Sequence, residues 1–177
     1  MIDTMVLEFI RQIQNPFFDF IMPIFTILGD KGFIWIILGV SLLFFRKSRI
    51  YGVAVLLSLL LTVILGEVII KPLVHRARPF ITHGFEILIN GPTSYSFPSG
   101  HTASSFAVFG IFLFAIKKYR LTCFVLAFLI AFSRIYLGVH YFSDVVAGVV
   151  LGLLDAYIIY RFYLKNKIDE RRHFYGE

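Results

Sequence analysis

Cysteine is almost missing from this chain. The single one, Cys123, excludes any disulfide within the molecule, so the fold must hold by packing. Charge is scarce too, at 16% of 177 residues against about a quarter in ordinary soluble domains. Acidic residues are the rarer sign, 11 against 17 Lys and Arg, for a formal charge of +6. A nucleic-acid binder can show such a surplus. Here, however, the basic residues form short clusters between apolar runs, as they do in the cytoplasmic loops of membrane proteins. There is no internal repeat and no low-complexity stretch. The first residues are acidic, with no small-residue cleavage site after an apolar core, so no cleavable signal peptide is expected.

What fills the chain instead is apolar: 58% hydrophobic residues and a mean hydropathy of +0.82. A soluble domain of this length could not bury so much. Several runs approach the roughly 20 residues that cross a hydrocarbon core. The expected fold is all-α, a single-domain integral membrane bundle over 1–177 with five to six transmembrane helices and an N-terminal amphipathic segment.

Residues 2–14 carry Ile2, Met5, Val6, Phe9, Ile10 and Ile13 at spacings of three and four, which predicts a helix lying on a membrane surface. Asn15-Pro16 breaks it. Residues 17–28 are short for a span and are read as interfacial or re-entrant, with a first transmembrane helix as the alternative. Spans follow over 32–45, 50–70, 102–116, 121–138 and 142–164, so that 32–164 forms a core. By simple alternation the basic clusters at 46–49, 117–120 and 161–172 share one side, cytoplasmic by the positive-inside rule, as is the C-terminus. The opposite, outer side receives three motifs.

The first motif is Lys71, six residues, then Arg78-Pro79. The second is Pro98-Ser99-Gly100-His101. The third is Ser133-Arg134, five residues, His140, three residues, Asp144. Arg78 and Arg134 offer planar forks that match phosphate oxygens, and Lys71 adds a point charge. Ser99 can cap the helix that follows, and Gly100 lets its N-terminus approach an anion. His140 and Asp144, four apart, share a helix face. The carboxylate can hold one ring nitrogen and leave the other free as a nucleophile, while His101 can serve as general acid. Any one of these residues alone reads as a helix-end cation or a structural histidine. Together they read as a phosphate site. Glu67, one turn before Lys71, is expected to pair with it, and Asp155, in mid-span, to face the bundle interior. His75, Arg76 and His83 are read as solvated residues of the outer loop, with contact to lipid headgroups as the alternative.

The three motifs closely resemble those of the type 2 phosphatidic acid phosphatase superfamily, the membrane lipid phosphate phosphatases, and match that family's pattern at every defining position. The resemblance implies a lipid phosphatase in the cell membrane with its site on the extracytoplasmic face. It makes His140 the nucleophile of a phosphohistidine intermediate, Asp144 its orienting partner and His101 the acid for the leaving group. Lys71, Arg78, Ser99, Gly100 and Arg134 would bind the phosphate, and no metal or other cofactor takes part. The implied partners are a lipid phosphate substrate and membrane lipids, with no nucleic acid. Among substrates it points to undecaprenyl diphosphate, with phosphatidylglycerophosphate or phosphatidic acid as alternatives. A rival from another class is a lipid-phosphate transporter or flippase. A further rival, a vanadate-binding haloperoxidase with similar motifs, is soluble and fits the apolar runs poorly.

Overall fold

The computed structural model describes residues 2–175, and the side chains of residues 2–170. Every regular element among them is helical. The first helix, α1 (Ile2–Gln12), buries Leu7 and Ile10 and turns Ile2, Met5 and Phe9 outward, the division that the spacing predicts. Asn15 ends the break after it by accepting from the backbone of Phe17 and Phe18, both at 3.2 Å, and so caps α2 (Pro16–Leu28). Proline suits the first position of α2, where its missing N–H has no helical partner to lose.

Near its start α2 touches Tyr136, whose hydroxyl donates to Asp19 at 2.7 Å. Near its end Thr26 accepts from Arg134. Both contacts are to the same end of one later helix, so α2 lies across that end of the bundle. The turn Asp30–Gly32 then leads into α3 (Phe33–Leu43), bent 43° from α2. Its 11 residues rise only about 16 Å.

From the far end the chain returns through α4 (Arg49–Thr62), a π-helical stretch at Val63–Ile70 and α5 (Lys71–Val74). A short α6 (Pro79–His83) and a loop lead to α7 (Gly100–Ala115). After it come α8 (Arg120–Tyr136), α9 (Phe142–Ile159), a second π-helical stretch at Tyr160–Leu164 and α10 (Lys165–Tyr175).

Among the described residues, three helical segments are long and apolar enough to cross a membrane: Arg49–His83, Lys117–Tyr136 and Phe142–Glu170. The bent α2–α3 pair raises this to four, and α7 is apolar but has 16 residues. The five to six spans expected from sequence exceed this count. The break that the sequence predicts between 17–28 and 32–45 is present as this bend, and it leaves α2 and α3 each shorter than a span.

The centre of the bundle is α7, buried continuously from Thr102 to Val108. Its closest neighbour is α9, which presents Gly148, Gly152 and Ala156 at intervals of four, hence on one face. A Cβ at Gly148 would stand 2.8 Å from the Ser99 carbonyl oxygen, and one at Gly152 would stand 2.7 Å from the Ala107 nitrogen. Only glycine lets the two backbones meet this way, as in tightly packed membrane helices. Trp35 fastens α3 to α7 by donating to the Ser105 hydroxyl at 2.9 Å. Asp155 faces inward as expected: it is fully buried and accepts from Thr62 of α4 at 2.8 Å. Cys123 is buried on α8. Outside, Phe44, Leu121 and Phe162 are among many exposed large apolar side chains, a surface suited to lipid.

Candidate active site

The polar residues gather at the end of the bundle opposite the basic turns, and each leaves from a helix terminus. Lys71 opens α5, Arg78 caps α6 and Ser99 caps α7. Arg134 lies in the last turn of α8 and Asp144 in the first turn of α9, with His140 in the turn between. The α7–α9 seam joins two of these ends directly, since the Ser99 amide donates to the Asp144 carbonyl at 3.1 Å.

His140 is 1% exposed, and its two ring nitrogens have different neighbours. Nδ1 faces Asp144 Oδ2 and the Ser96 hydroxyl, each at 3.5 Å. Nε2 faces Arg78 Nη1 at 3.1 Å. A guanidinium can only donate, so the hydrogen-bond network assigns the lone pair to Nε2 and the proton to Nδ1. Burial pushes the imidazole down to about 3, and Arg134 and Arg78 add to this against the pull of Asp144. The ring is therefore neutral at physiological pH, with an unshared pair on Nε2.

Asp144 is fully buried, and its carboxylate is surrounded by donors. Oδ2 accepts from Ser96 Oγ at 2.5 Å and from the Tyr141 amide at 2.9 Å. Oδ1 accepts from Arg76 Nη1 at 2.5 Å. Arg76 is thus not a solvated loop cation, as its sequence position suggested. Its other terminal nitrogen donates to Asp3 of α1 at 2.7 Å, and its guanidinium lies 4.0 Å over the Tyr141 ring. Burial alone would raise the Asp3 carboxyl, but bonds from Ser143 and Arg76 outweigh it and hold the group below its ordinary range. His75 and His83 do remain exposed, beside Tyr95 and Phe85 respectively.

A cavity of about 1160 Å³ opens beside this pair. It brings together Lys71, Arg78, Gly100, His101, Arg134 and His140. Ser99 and Asp144 stand behind it: the Ser99 hydroxyl accepts from Thr102 Oγ1 at 2.9 Å within the helix cap, and Asp144 backs the imidazole. The cations are held differently. Arg78 donates to the carbonyls of Ser94 (2.7 Å) and Val139 (2.8 Å), tying the long loop to the turn of His140. Lys71 is paired with both oxygens of Glu67, at 2.6 and 2.7 Å, as its spacing predicts. Arg134 is buried, bonds Thr26, and keeps an Nε with no partner among the described residues. Beside them stands the N-terminus of α7, whose first-turn N–H groups face an anion favourably. Across the cavity, His101 approaches Asp30 at 3.9 Å.

Sequence reasoning missed Ser96, Arg76 and Asp3. One signal for Arg76 was available. It lies two residues before Arg78 in a non-helical stretch, and alternate residues of extended chain share a side.

A helical bundle sheathed in apolar side chains, with a His–Asp pair set in a basic cavity at one end, belongs to the class of membrane proteins that handle phosphate. The comparisons narrow this. The model of the PAP2 superfamily matches residues 50–168, and the chain belongs to that family. It is 32% identical to the lipid A 4'-phosphatase of Bacteroides thetaiotaomicron, over 96% of this chain and 80% of that one. It is 34% identical to an undecaprenyl-diphosphatase of Sulfolobus acidocaldarius, over 74% of this chain and 64% of that one. Among solved structures, the transmembrane PAP2-type phosphatidylglycerolphosphate phosphatase of Bacillus subtilis superposes with a TM-score of 0.77. The sequences there are 30% identical, and the match covers 92% of this chain and 85% of that one.

Proposed function

We propose that this chain is a lipid phosphatase that hydrolyses the terminal phosphate of a membrane lipid through a phosphohistidine on His140, at the outer face of the membrane. The observation that carries the reading is the tautomer: Nε2 of a buried neutral imidazole offers its lone pair toward a cavity lined by cations, while Nδ1–H is backed by Asp144.

The substrate phosphate enters beside Arg134, Lys71 and the N-terminus of α7, with Arg78 turning from the ring to a phosphate oxygen. The Nε2 lone pair forms an N–P bond as the lipid P–O bond breaks, and His101 gives its proton to the departing oxygen. Asp144 stabilises the positive ring that results. Water then attacks phosphorus, His101 takes its proton, and the N–P bond breaks to release phosphate. No step in this scheme needs a metal, so chelators should leave the rate unchanged.

The proposed topology has five crossings, by α3, α4–α5, α7, α8 and α9, as one domain with α1 and α2 resting at the outer interface and the C-terminus inside. Undecaprenyl diphosphate is the first substrate to test. A lipid A phosphate is the second, because similarity to the lipid A 4'-phosphatase extends over 96% of the chain. The deciding experiment is phosphate release by purified protein from a panel of these two, phosphatidylglycerophosphate and phosphatidic acid. The expected results are turnover of at least one, an acid-labile, base-stable phosphoenzyme, and loss of both in His140→Ala by roughly 10⁴-fold or more. Lipid binding without release by the unaltered protein would instead support a transporter.

A further inference from the structure

We propose that Arg76 is a positioning residue for the His140–Asp144 pair, bridging the Asp144 carboxylate to Asp3 on the surface helix α1. The proposal rests on the hydrolase reading above and adds a residue that lies within the first motif but is not one of its defining positions.

Two features separate Arg76 from the phosphate-facing cations. It does not line the cavity, so it acts only through what it holds. And both of its terminal nitrogens are committed. Nη1 donates to Asp144 Oδ1 at 2.5 Å and to Ser143 Oγ at 2.7 Å, while Nη2 donates to Asp3 Oδ2 at 2.7 Å. Asp3 completes the clamp by accepting from the Ser143 amide at 2.8 Å and its hydroxyl at 2.6 Å. Tyr141 supports the face of the guanidinium at 4.0 Å. The four residues Asp3, Arg76, Ser143 and Asp144 thus lock the first turn of α9 from outside.

The chemistry calls for arginine. A planar fork reaches two carboxylates in fixed directions, whereas a lysine ammonium serves one of them and swings on a flexible stem. Stability alone explains the outer half of the bridge poorly, because the Arg76–Asp3 pair is 28% and 22% exposed, where ion pairs add little. Geometry explains it better. Asp144 has to present Oδ2 to Nδ1 of His140, and the bond to Oδ1 fixes the rotation of the carboxylate about that axis. The outer end of the bridge is α1, whose Ile2, Met5 and Phe9 point away from the bundle. Seating this helix on the lipid surface therefore sets the carboxylate that orients the nucleophile.

The test uses purified full-length protein and whichever lipid phosphate the unaltered enzyme hydrolyses. Arg76→Gln should lower kcat about 10- to 100-fold with KM changed less than about threefold, and Arg76→Lys should recover part of the loss. Asp3→Asn should lower kcat in the same direction by a smaller factor, and it probes the bridge from its outer end should Arg76→Gln fail to fold. Unchanged kcat in both Arg76→Gln and Asp3→Asn would overturn the proposal. So would a rise in KM at constant kcat, which would make Arg76 a binding residue. If the unaltered protein releases no phosphate, the function itself falls and the bridge with it.

Discussion

The cavity has two sides that are built in different ways. On one side, α7 and α9 meet backbone to backbone along Gly148, Gly152 and Ala156, and this seam carries Ser99, Gly100, His101 and Asp144 at its end. On the other side, α2 closes the space largely through side chains, Thr26 to Arg134 and Asp19 to Tyr136. A backbone seam has one register and little freedom. Side-chain contacts can be remade with a different partner. For the proposed phosphatase, the contrast predicts reaction geometry on the rigid side and lipid selection on the adjustable one.

The sharpest way to break this contrast is to pry the seam apart. Gly152→Leu drives a side chain into the backbone of Ala103 to Ala107, and the expected outcome is loss of the folded monodisperse protein together with all phosphate release. Size-exclusion profile and release assay check it; a folded, active variant would refute the rigid-seam account. Next in size is Arg134→Gln, which removes the cation with the unpartnered Nε and should cost about 10²- to 10³-fold in kcat/KM on every lipid in the panel alike. Smaller is Thr26→Val on the adjustable side, which frees Arg134 from α2 and should cost about tenfold. Smaller still, Ile36→Trp in the apolar wall should change the ranking of lipids within the panel by a few fold while leaving a water-soluble phosphate ester unaffected.

The least effect concerns stability. His140 binds protons less readily folded, at about 3, than unfolded, at 6.5. Between those values the unfolded chain holds the extra proton, so the His140 contribution to stability is complete above pH 6.5 and falls as pH drops toward 3. Thermal melts of the unaltered protein should therefore lose more on acidification than melts of His140→Gln.

Much of the site was legible because its residues lie at helix ends, and alternating spans return those ends to the same side. Three motifs far apart in sequence could thus be assigned to one place, and Lys71, Arg78, Gly100, His101, Arg134 and His140 do meet around one cavity. The supporting residues were not legible. Arg76 looks like any loop cation until the loop folds back, with the Ser96 amide donating to the Arg76 carbonyl at 2.8 Å, and so places both residues against Asp144. Asp3 lies 141 positions before Asp144, and nothing local marks it as a partner. The amphipathic first helix and the inward Asp155 followed from periodicity and the cost of burying charge. The π-helical stretches did not, since apolar composition is blind to a widened turn.

The lone thiol on α8 makes the molecule convenient to map. Cys123 is packed inside, at 7% exposure, and takes no part in the site. Its exchange for serine or alanine leaves a background with no reactive sulfur. A cysteine placed singly at Lys31, on the cavity rim, or at Lys117, at the opposite end, then reports through an impermeant maleimide which face of the cell each end meets. One substitution opens the whole topology to chemistry in intact cells.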